Sequence, residues 1–255
     1  MNYGLWMSAA GLGSQVHRQS VIANNLSNAT TTAFKPDFTQ TLERPTAVEE
    51  FGQLFTSQQL LEQLGGGVLV EPTWTDFAQG SLEESGNSLD LAIDGPGFFM
   101  VRDSQGNDRL TRAGVFQRNR SGHLVNDSGD AVLDARHRPI KLPDIEDGAI
   151  SITSNGTILV GGDDEVAQIA VVTADASHLR KEGGNLYGLT GEHTPLPAGN
   201  ETRILQGWTE ASGTDPVLEM ARMIETSRAI EANARLIGIH DQIMNLTVNR
   251  LGAIA

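Results

Sequence analysis

The chain has 255 residues, and its 39% hydrophobic content is enough to fill a core. Its 18 basic and 32 acidic residues give a formal net charge of −14, which repels phosphate backbones and argues against a nucleic-acid partner. It contains no cysteine, which excludes disulfides and thiolate zinc sites, and its apolar runs are shorter than the roughly 20 residues of a transmembrane segment.

The first predicted element is a helix within residues 1–32. Small and apolar residues recur in steps of four and three, which is the spacing of a heptad seam, and only Gln19 interrupts them. Gly11 and Gly13 each cost about 1 kcal/mol relative to alanine in a helix, so this helix needs a partner surface. Asn24 and Asn25 lie near its end, where their amides are expected to cap the helix or to bond a neighbouring backbone. The seam consists of Leu5, Ala9, Leu12, Val16, Ala23 and Leu26.

Residues 33–78 show little periodicity and are assigned as a connector. Residues 79–213 contain short runs of Val, Ile, Leu and Phe that are separated by turn signals such as Asn155-Gly156, so many short antiparallel strands are expected there. Phe98, Phe99 and Phe116 are assigned to the core of this β-rich region. The predicted fold class is therefore α+β, mainly β, with a long helix at each end.

Two similar segments bracket the β-rich region. Residues 79–86 read QGSLEESG and residues 206–213 read QGWTEASG, with matches at Gln, Gly, Glu, Ser and Gly. One copy leads into the region and the other leads out. We therefore expect them to lie side by side where the chain enters and leaves.

The last predicted element is a long helix within residues 214–255. Asp215 is suited to the N-cap, Pro216 to the first helical position and Gly252 to the end. Its apolar residues recur every seven positions, which favours bundling. The two terminal seams could pack on the chain's own β-domain, on each other or on neighbouring subunits, and periodicity does not choose among these. The C-terminal seam consists of Met223, Ile230, Ile237, Met244 and Leu251, flanked by Met220.

Signatures of enzyme chemistry are missing. The histidines form no HExxH or other close ligand pair, and neither a nucleophile elbow nor a phosphate-binding loop occurs, so no catalytic, metal or cofactor site is predicted. Asp90 and Asp94 are the sharpest enzymatic candidates, because a carboxylate pair could serve hydrolysis. Their apolar neighbours favour roles at strand ends and turns instead. A secreted β-rich hydrolase or glycan-binding protein is kept as the alternative.

Three blocks of the sequence resemble the rod, hook and hook-associated axial proteins of the bacterial flagellum. They span nearly the whole chain in family order, and the block 89–99 is the most specific. Chain length and the third block fit the rod proteins better than the longer hook protein, while a hook-type subunit remains an alternative. The blocks are IANNLSN (22–28) with TAFK (32–35); GNSLDLAIDGPGFF (86–99) with LTRAGVF (110–116) and GHLVN (122–126); and VLEMARMI (217–224) with RAIEAN (228–233).

Some positions depart from the family pattern. Ala33 replaces the usual glycine before Phe34, and Ile230 replaces a common tyrosine. These departures leave the proximal and distal rod types both open.

The resemblance implies a structural subunit and not an enzyme. Its terminal helices would form a helical-coil assembly domain, discontinuous in sequence, that packs with other copies into a tube around an export channel. The implied partners are further copies, other flagellar rod and hook proteins, and the flagellar export machinery. The implied location is the basal body, which spans the periplasm, with export that needs no cleaved signal peptide; the N-terminus also lacks a basic n-region.

Overall fold

The computed structural model describes residues 3–45, 67–144, 150–162, 164–190, 196–199 and 201–252. Residues 46–66 of the predicted connector lie outside this description. The described part contains two long helices and 20 short strands, and the strand pairs are antiparallel. The predicted class, α+β and mainly β with a helix at each end, is confirmed.

The chain divides into two compact units. The first, which we call the helical unit, combines three separate stretches of sequence: Met1–Ser27, Pro36–Asp76 and Asp215–Ala255. The second, which we call the β unit, combines Asn28–Lys35 with Phe77–Thr214.

The helical unit contains helix α1 (Tyr3–Ser27) and helix α2 (Pro216–Gly252). The predicted start of α2 is confirmed, because Asp215 Oδ1 accepts hydrogen bonds from the backbone of Val217 at 2.9 Å and of Leu218 at 3.2 Å. Two short ribbons complete the unit. One pairs β1 (Asp37–Phe38) with β4 (Trp74–Thr75), and the other pairs β2 (Thr41–Glu43) with β3 (Val68–Val70).

The β unit contains the remaining strands. Its largest sheet has the order β16-β17-β8-β7-β11-β10-β9, and β15 joins it by pairing with both β7 and β18. Smaller sheets are β12-β13-β14, β6-β19 and β5-β20. The strands are β5 (Leu82–Glu84), β6 (Leu91–Asp94), β7 (Phe98–Arg102), β8 (Asp108–Thr111), β9 (Phe116–Arg118), β10 (Leu124–Asn126), β11 (Ala131–Val132), β12 (Ile150–Ile152), β13 (Thr157–Val160), β14 (Asp164–Gln168), β15 (Val171–Thr173), β16 (Leu179–Gly183), β17 (Leu186–Leu189), β18 (Leu196–Pro197), β19 (Arg203–Gln206) and β20 (Trp208–Glu210).

Two clusters of buried side chains form the core of the β unit. Phe99 and Phe116 meet edge to face in the larger cluster, with ring centroids 5.2 Å apart. Phe98 belongs to the second cluster, where its ring lies 5.7 Å from that of Tyr187. The predicted core role of these three phenylalanines is confirmed, and their edge-to-face geometry is the favoured one for aromatic pairs.

The two similar segments meet, as predicted. Strand β5, from residues 79–86, pairs with β20, from residues 206–213, with Glu83 opposite Thr209. The chain therefore enters and leaves the main part of the β unit on adjacent strands.

Candidate assembly interface

The terminal helices pack on each other inside the helical unit. They run antiparallel, because Gly4 near the start of α1 faces His240 and Gln19 donates a hydrogen bond to Ser227 at 3.1 Å. A Cβ on Gly4 would lie 2.7 Å from His240 Cε1, so a larger residue there would require the His240 side chain to move. Gly4 and Gly11 therefore mark the side of α1 that meets α2.

The contact between the helices combines half-buried apolar side chains with buried polar ones. Ser14 of α1 is buried, as are Glu219 and Thr226 of α2. Glu219 is paired with Arg222 one turn further along α2, with 2.5 Å between Oε1 and Nη1. Buried polar groups of this kind specify a register, but they remove little apolar surface from water.

Asn25 fastens the end of α1 to the adjoining ribbon. Its side-chain amide donates to the carbonyl of Asp37 at 2.8 Å and accepts from the N–H of Asp37 at 3.0 Å, and the residue is only 1% exposed. Of the two roles considered for this amide, it is the bond to a neighbouring backbone that the structure contains.

The predicted seam residues lie on different faces of the two helices. Some face the partner helix and are half-buried, while others face outward and are exposed, so the intramolecular pairing leaves part of both seams open. The side chain of Leu251 lies outside the described residues. The half-buried members are Leu5, Leu12, Leu26, Met223, Ile230 and Ile237, and the exposed members are Ala9, Val16, Ala23, Asn24, Met220 and Met244.

A buried ion cluster in the β unit was missed by sequence reasoning. The side chains of Lys35 and Glu210 are both 0% exposed and form an ion pair between Nζ and Oε1. Glu210 Oε1 also accepts the N–H of Gly80 at 2.8 Å, and Lys35 Nζ donates to the carbonyl of Ala78 at 2.6 Å. The pair thus bridges the short segment 28–35 to the strands by which the chain enters and leaves.

Arg112 adds a second cation to the cluster. Its Nη1 lies 3.5 Å from Glu210 Oε2 and donates to the carbonyl of Ile93 at 3.2 Å. Its Nη2 donates to the carbonyl of Gly95 at 2.6 Å. Burial lowers the pKa of the Arg112 guanidinium from its ordinary value, and the nearby Glu210 and Tyr187 oppose that shift. The Glu210 carboxylate therefore lies between two buried cations.

The signal for this cluster was present in the sequence. Lys35 follows the apolar pair Ala33-Phe34, Arg112 follows Leu110-Thr111, and Glu210 lies in the repeated segment. Charged side chains at such positions are rarely buried unless they are paired. Their partners lie far away in sequence, so no local spacing identifies the pair.

The carboxylates considered for hydrolysis are placed differently from a catalytic pair. Asp90 is buried, and its Oδ1 accepts from Asn87 at 3.1 Å, whereas Asp94 is exposed at the end of β6. Across the described ranges, no group of three or more Asp, Glu or His side chains is placed to hold a metal ion. Neither helix of the described chain is long and apolar enough to span a membrane.

Two family models match the chain. The model of the flagellar hook protein FlgE/F/G D1 domain matches residues 92–160, which lie in the β unit. The model of the flagellar basal body rod FlgEFG protein C-terminal region matches residues 205–251, which include most of α2.

Several known proteins align with almost the whole chain. The flagellar basal-body rod protein FlgG of Buchnera aphidicola subsp. Schizaphis graminum is 33% identical over 94% of this chain and 96% of its own length. FlgF of Caulobacter vibrioides is 34% identical over 92% of this chain and 91% of its own length. FlgG of Bacillus subtilis is 28% identical over 96% of this chain and 97% of its own length. At this identity and coverage, the chain belongs to the family of flagellar basal-body rod proteins.

Proposed function

We propose that the chain is a structural subunit of the bacterial flagellar basal-body rod. The observation that carries this proposal is the open face of the paired terminal helices: α1 and α2 pack on each other, while Ala9, Val16 and Met220 of the predicted seams stay exposed among the described residues. Apolar side chains left exposed on a packed helix pair favour association with further copies.

In this role the terminal segments 1–32 and 214–255 polymerise with other copies into a tubular shaft. The shaft encloses an export channel and transmits torque, and residues 79–213 form the outer domain, with 33–78 as the connector. Rod and hook proteins of other types are the neighbours at either end. The subunit reaches the basal body through the flagellar export machinery without a cleaved signal peptide.

The proposal includes no catalysis. Asp90 is hydrogen-bonded by Asn87 and forms a bridge with Val115, and Asp94 lies exposed at the end of β6 opposite Arg203, which favours structural roles over acid–base chemistry. If the rival role as a hydrolase held, the purified chain would cleave a polysaccharide and lose that activity on Asp94→Asn substitution.

Complementation of a strain that lacks the gene for this chain tests the proposal. The full chain is expected to restore complete hook–basal bodies and swimming, and a chain without residues 3–27, which lacks α1 but keeps Asn28–Lys35 of the β unit, is expected to restore neither. Asp94→Asn serves as the control and is expected to behave as the full chain does. Complete basal bodies built with the truncated chain would contradict an assembly role for the helix.

A further inference from the structure

The β unit contains a cavity of about 530 Å³ that plays no part in the proposed function. Pockets that bind small ligands have volumes of this order. The cavity is lined by residues 168–172, by the turns around His137 and 154–155, and by residues 197–199 and 202–204. All of these residues belong to the β unit, so the cavity lies within one compact body.

Arg203 brings a positive charge to the cavity lining. It lies opposite Asp94 in the pairing of β19 with β6, yet among the described residues its guanidinium takes part in no ion pair or hydrogen bond. None of the described residues that line the cavity is acidic. On a chain with a net charge of −14, such a cavity is a local site for an anion, and a guanidinium matches the geometry of a carboxylate.

His137 lines the same cavity and is held in a fixed orientation. Its backbone has φ 59°, which is uncommon for a residue with a side chain, and its carbonyl accepts a hydrogen bond from Arg102 at 3.1 Å. Asp108 Oδ2 lies 2.9 Å from the ring nitrogen Nδ1. In the neutral ring that carboxylate retains the proton on Nδ1, so Nε2 is left as an acceptor for a ligand. Backbone strain enforced by several contacts is typical of functional sites.

Two side-chain amides in the cavity suit a peptide group. Gln168 donates its amide N–H to the carbonyl of Asn155 at 3.3 Å, and its Oε1 accepts from no described residue. Asn155 Oδ1 accepts from the N–H of Thr157 at 3.3 Å, while its amide nitrogen donates to none of the residues described. A neighbouring acceptor and donor can bond the N–H and C=O groups of a peptide. The lining also contains apolar residues that suit small aliphatic side chains: Ile169, Val171 and Pro197.

We propose that this cavity binds a short peptide segment that carries a carboxylate. Arg203 binds the carboxylate, while His137 Nε2 and the amides of Asn155 and Gln168 bond the adjoining peptide groups. A peptide is favoured over an acidic sugar because the described lining contains no aromatic ring on which a sugar could stack. The inference goes beyond the proposed function, since it gives the β unit a binding activity in addition to its place in the shaft.

Isothermal titration calorimetry of the full chain with N-acetyl-trialanine, which ends in a free carboxylate, tests the proposal. Saturable binding to one site per chain is expected. The C-terminal amide of the same peptide is expected to bind at least about tenfold more weakly, because it lacks the charged contact with Arg203. The amide of N-acetyl-Ala-Asp-Ala carries its carboxylate on a side chain. The tighter of the two carboxylate peptides therefore identifies whether a chain end or an acidic side chain is the natural source.

Three variants locate the site. Arg203→Gln is expected to weaken N-acetyl-trialanine about ten- to a hundredfold and to leave the amide peptide nearly unchanged. His137→Asn keeps a residue that tolerates positive φ and can still donate to Asp108, but it lacks Nε2, so it is expected to weaken both peptides equally. Gly199 lines the cavity and has open space where a Cβ would stand, so Gly199→Trp is expected to fill the cavity and abolish binding.

Arg180→Gln is the matched control for the loss of one arginine. The Arg180 side chain is 73% exposed on β16 and lies outside the cavity lining, so binding of N-acetyl-trialanine is expected to be unchanged. Circular dichroism and the thermal midpoint are measured for every variant. A variant that binds weakly but melts like the unmodified chain has lost the site and not the fold.

Several outcomes would overturn the inference. Equal affinity for N-acetyl-trialanine and its amide would remove the carboxylate from recognition. Acetate that bound as tightly as the peptide would indicate a plain anion site, and tighter binding of glucuronate would assign the cavity to an acidic sugar. The absence of binding by every probe, or binding that Arg203→Gln and Gly199→Trp leave unchanged, would exclude the site. None of these results alters the basal-body complementation, so failure here is distinguishable from failure of the proposed function.

Discussion

Replacing Glu210 by glutamine tests the charge balance of the buried cluster. The substitution preserves the shape of the side chain but removes the carboxylate that lies between Lys35 and Arg112. Two cations would then share a site in which the Lys35 and Glu210 side chains are 0% exposed and that of Arg112 is 5% exposed. Removing one partner from a buried ion pair costs about 3–5 kcal/mol, since the remaining charge is left without compensation.

The expected effect is large enough to measure by urea unfolding. With a slope of roughly 2 kcal/mol per molar urea, that loss lowers the midpoint of the β unit by about 1.5–2.5 M. Trp208 lies in β20, two residues from Glu210, so its fluorescence reports on this unit. If Glu210→Gln does not fold, the double variant with Lys35→Met is expected to recover a folded β unit, because it removes one of the two unbalanced cations.

Glu231→Gln is the matched control for the same chemical change on the surface. Glu231 pairs with Arg235 at 3.8 Å, and the two side chains are 68% and 80% exposed. An exposed pair of this kind contributes at most about 1 kcal/mol. If Glu210→Gln lowered the midpoint no more than Glu231→Gln does, the reasoning that Glu210 balances buried cations would be refuted.

Substitutions at Ala33, Gly114 and Asp134 test local features of the β unit by the same unfolding measurement. Ala33 is fully buried and has φ 54°, a left-handed conformation that a β-branched residue adopts poorly. Ala33→Val is therefore expected to lower the free energy of unfolding by about 2 kcal/mol, while Ala33→Gly changes it by no more than about 1 kcal/mol. Equal losses for the two variants would exclude backbone strain at this position. A Cβ on Gly114 would lie 1.6 Å from the carbonyl oxygen of Leu91, so Gly114→Ala is expected to lower the free energy of unfolding by about 3 kcal/mol. The control is Gly238→Ala in α2, where a Cβ would meet open space, and it is expected to stabilise that helix by up to about 1 kcal/mol. Asp134 is partly desolvated, which raises its pKa, but the backbone N–H of Arg138, the guanidinium of Arg138 and the N–H of Arg136 hold the pKa below its ordinary 3.8. Its ionised form therefore stabilises the fold above about pH 4 and loses that effect as pH falls through the lowered pKa. Asp134→Asn is accordingly expected to cost about 1–2 kcal/mol at pH 7 and progressively less as the pH falls below the ordinary pKa; a loss that did not change with pH would contradict this assignment.

The parts of the fold that the sequence predicts are those with local causes. Helix α2 begins at Pro216 because Asp215 caps the free N–H groups of its first turn, and both residues are adjacent in sequence. The pairing of β5 with β20 was predictable because two copies of one segment mark it. The positions of Phe98 and Phe99 followed from their apolar strand.

The parts that sequence reasoning missed depend on distant contacts. The seam of α1 was predicted as one line from Leu5 to Leu26, yet Leu12 is half-buried while Val16 is exposed, because the contact with α2 passes through Gly4 and Gly11. Heptad spacing alone does not tell which side of a helix meets its partner when both sides carry apolar residues. Lys35 and Glu210 are likewise separated by 175 positions, so their pairing leaves no local pattern.

The same cluster explains how helices from opposite ends of the chain come to pair. The β unit consists of two stretches of sequence, Asn28–Lys35 and Phe77–Thr214. Hydrogen bonds within the unit hold the first stretch to the end of the second. Ser212 Oγ donates to the carbonyl of Asn28 at 3.0 Å, and Gly213 N–H donates to that of Phe34 at 2.9 Å.

Folding of the β unit therefore brings together the two segments that continue into α1 and α2. The entropy cost of closing that loop is then met before the helices pair, and the effective concentration of each helix near the other is raised. The two terminal helices can then pair within one chain although they lie at opposite ends of its sequence. Loosening the β unit by Glu210→Gln is accordingly expected to reduce the helicity of the isolated chain. Unchanged helicity in a chain whose β unit has unfolded would show that α1 and α2 find each other without that closure.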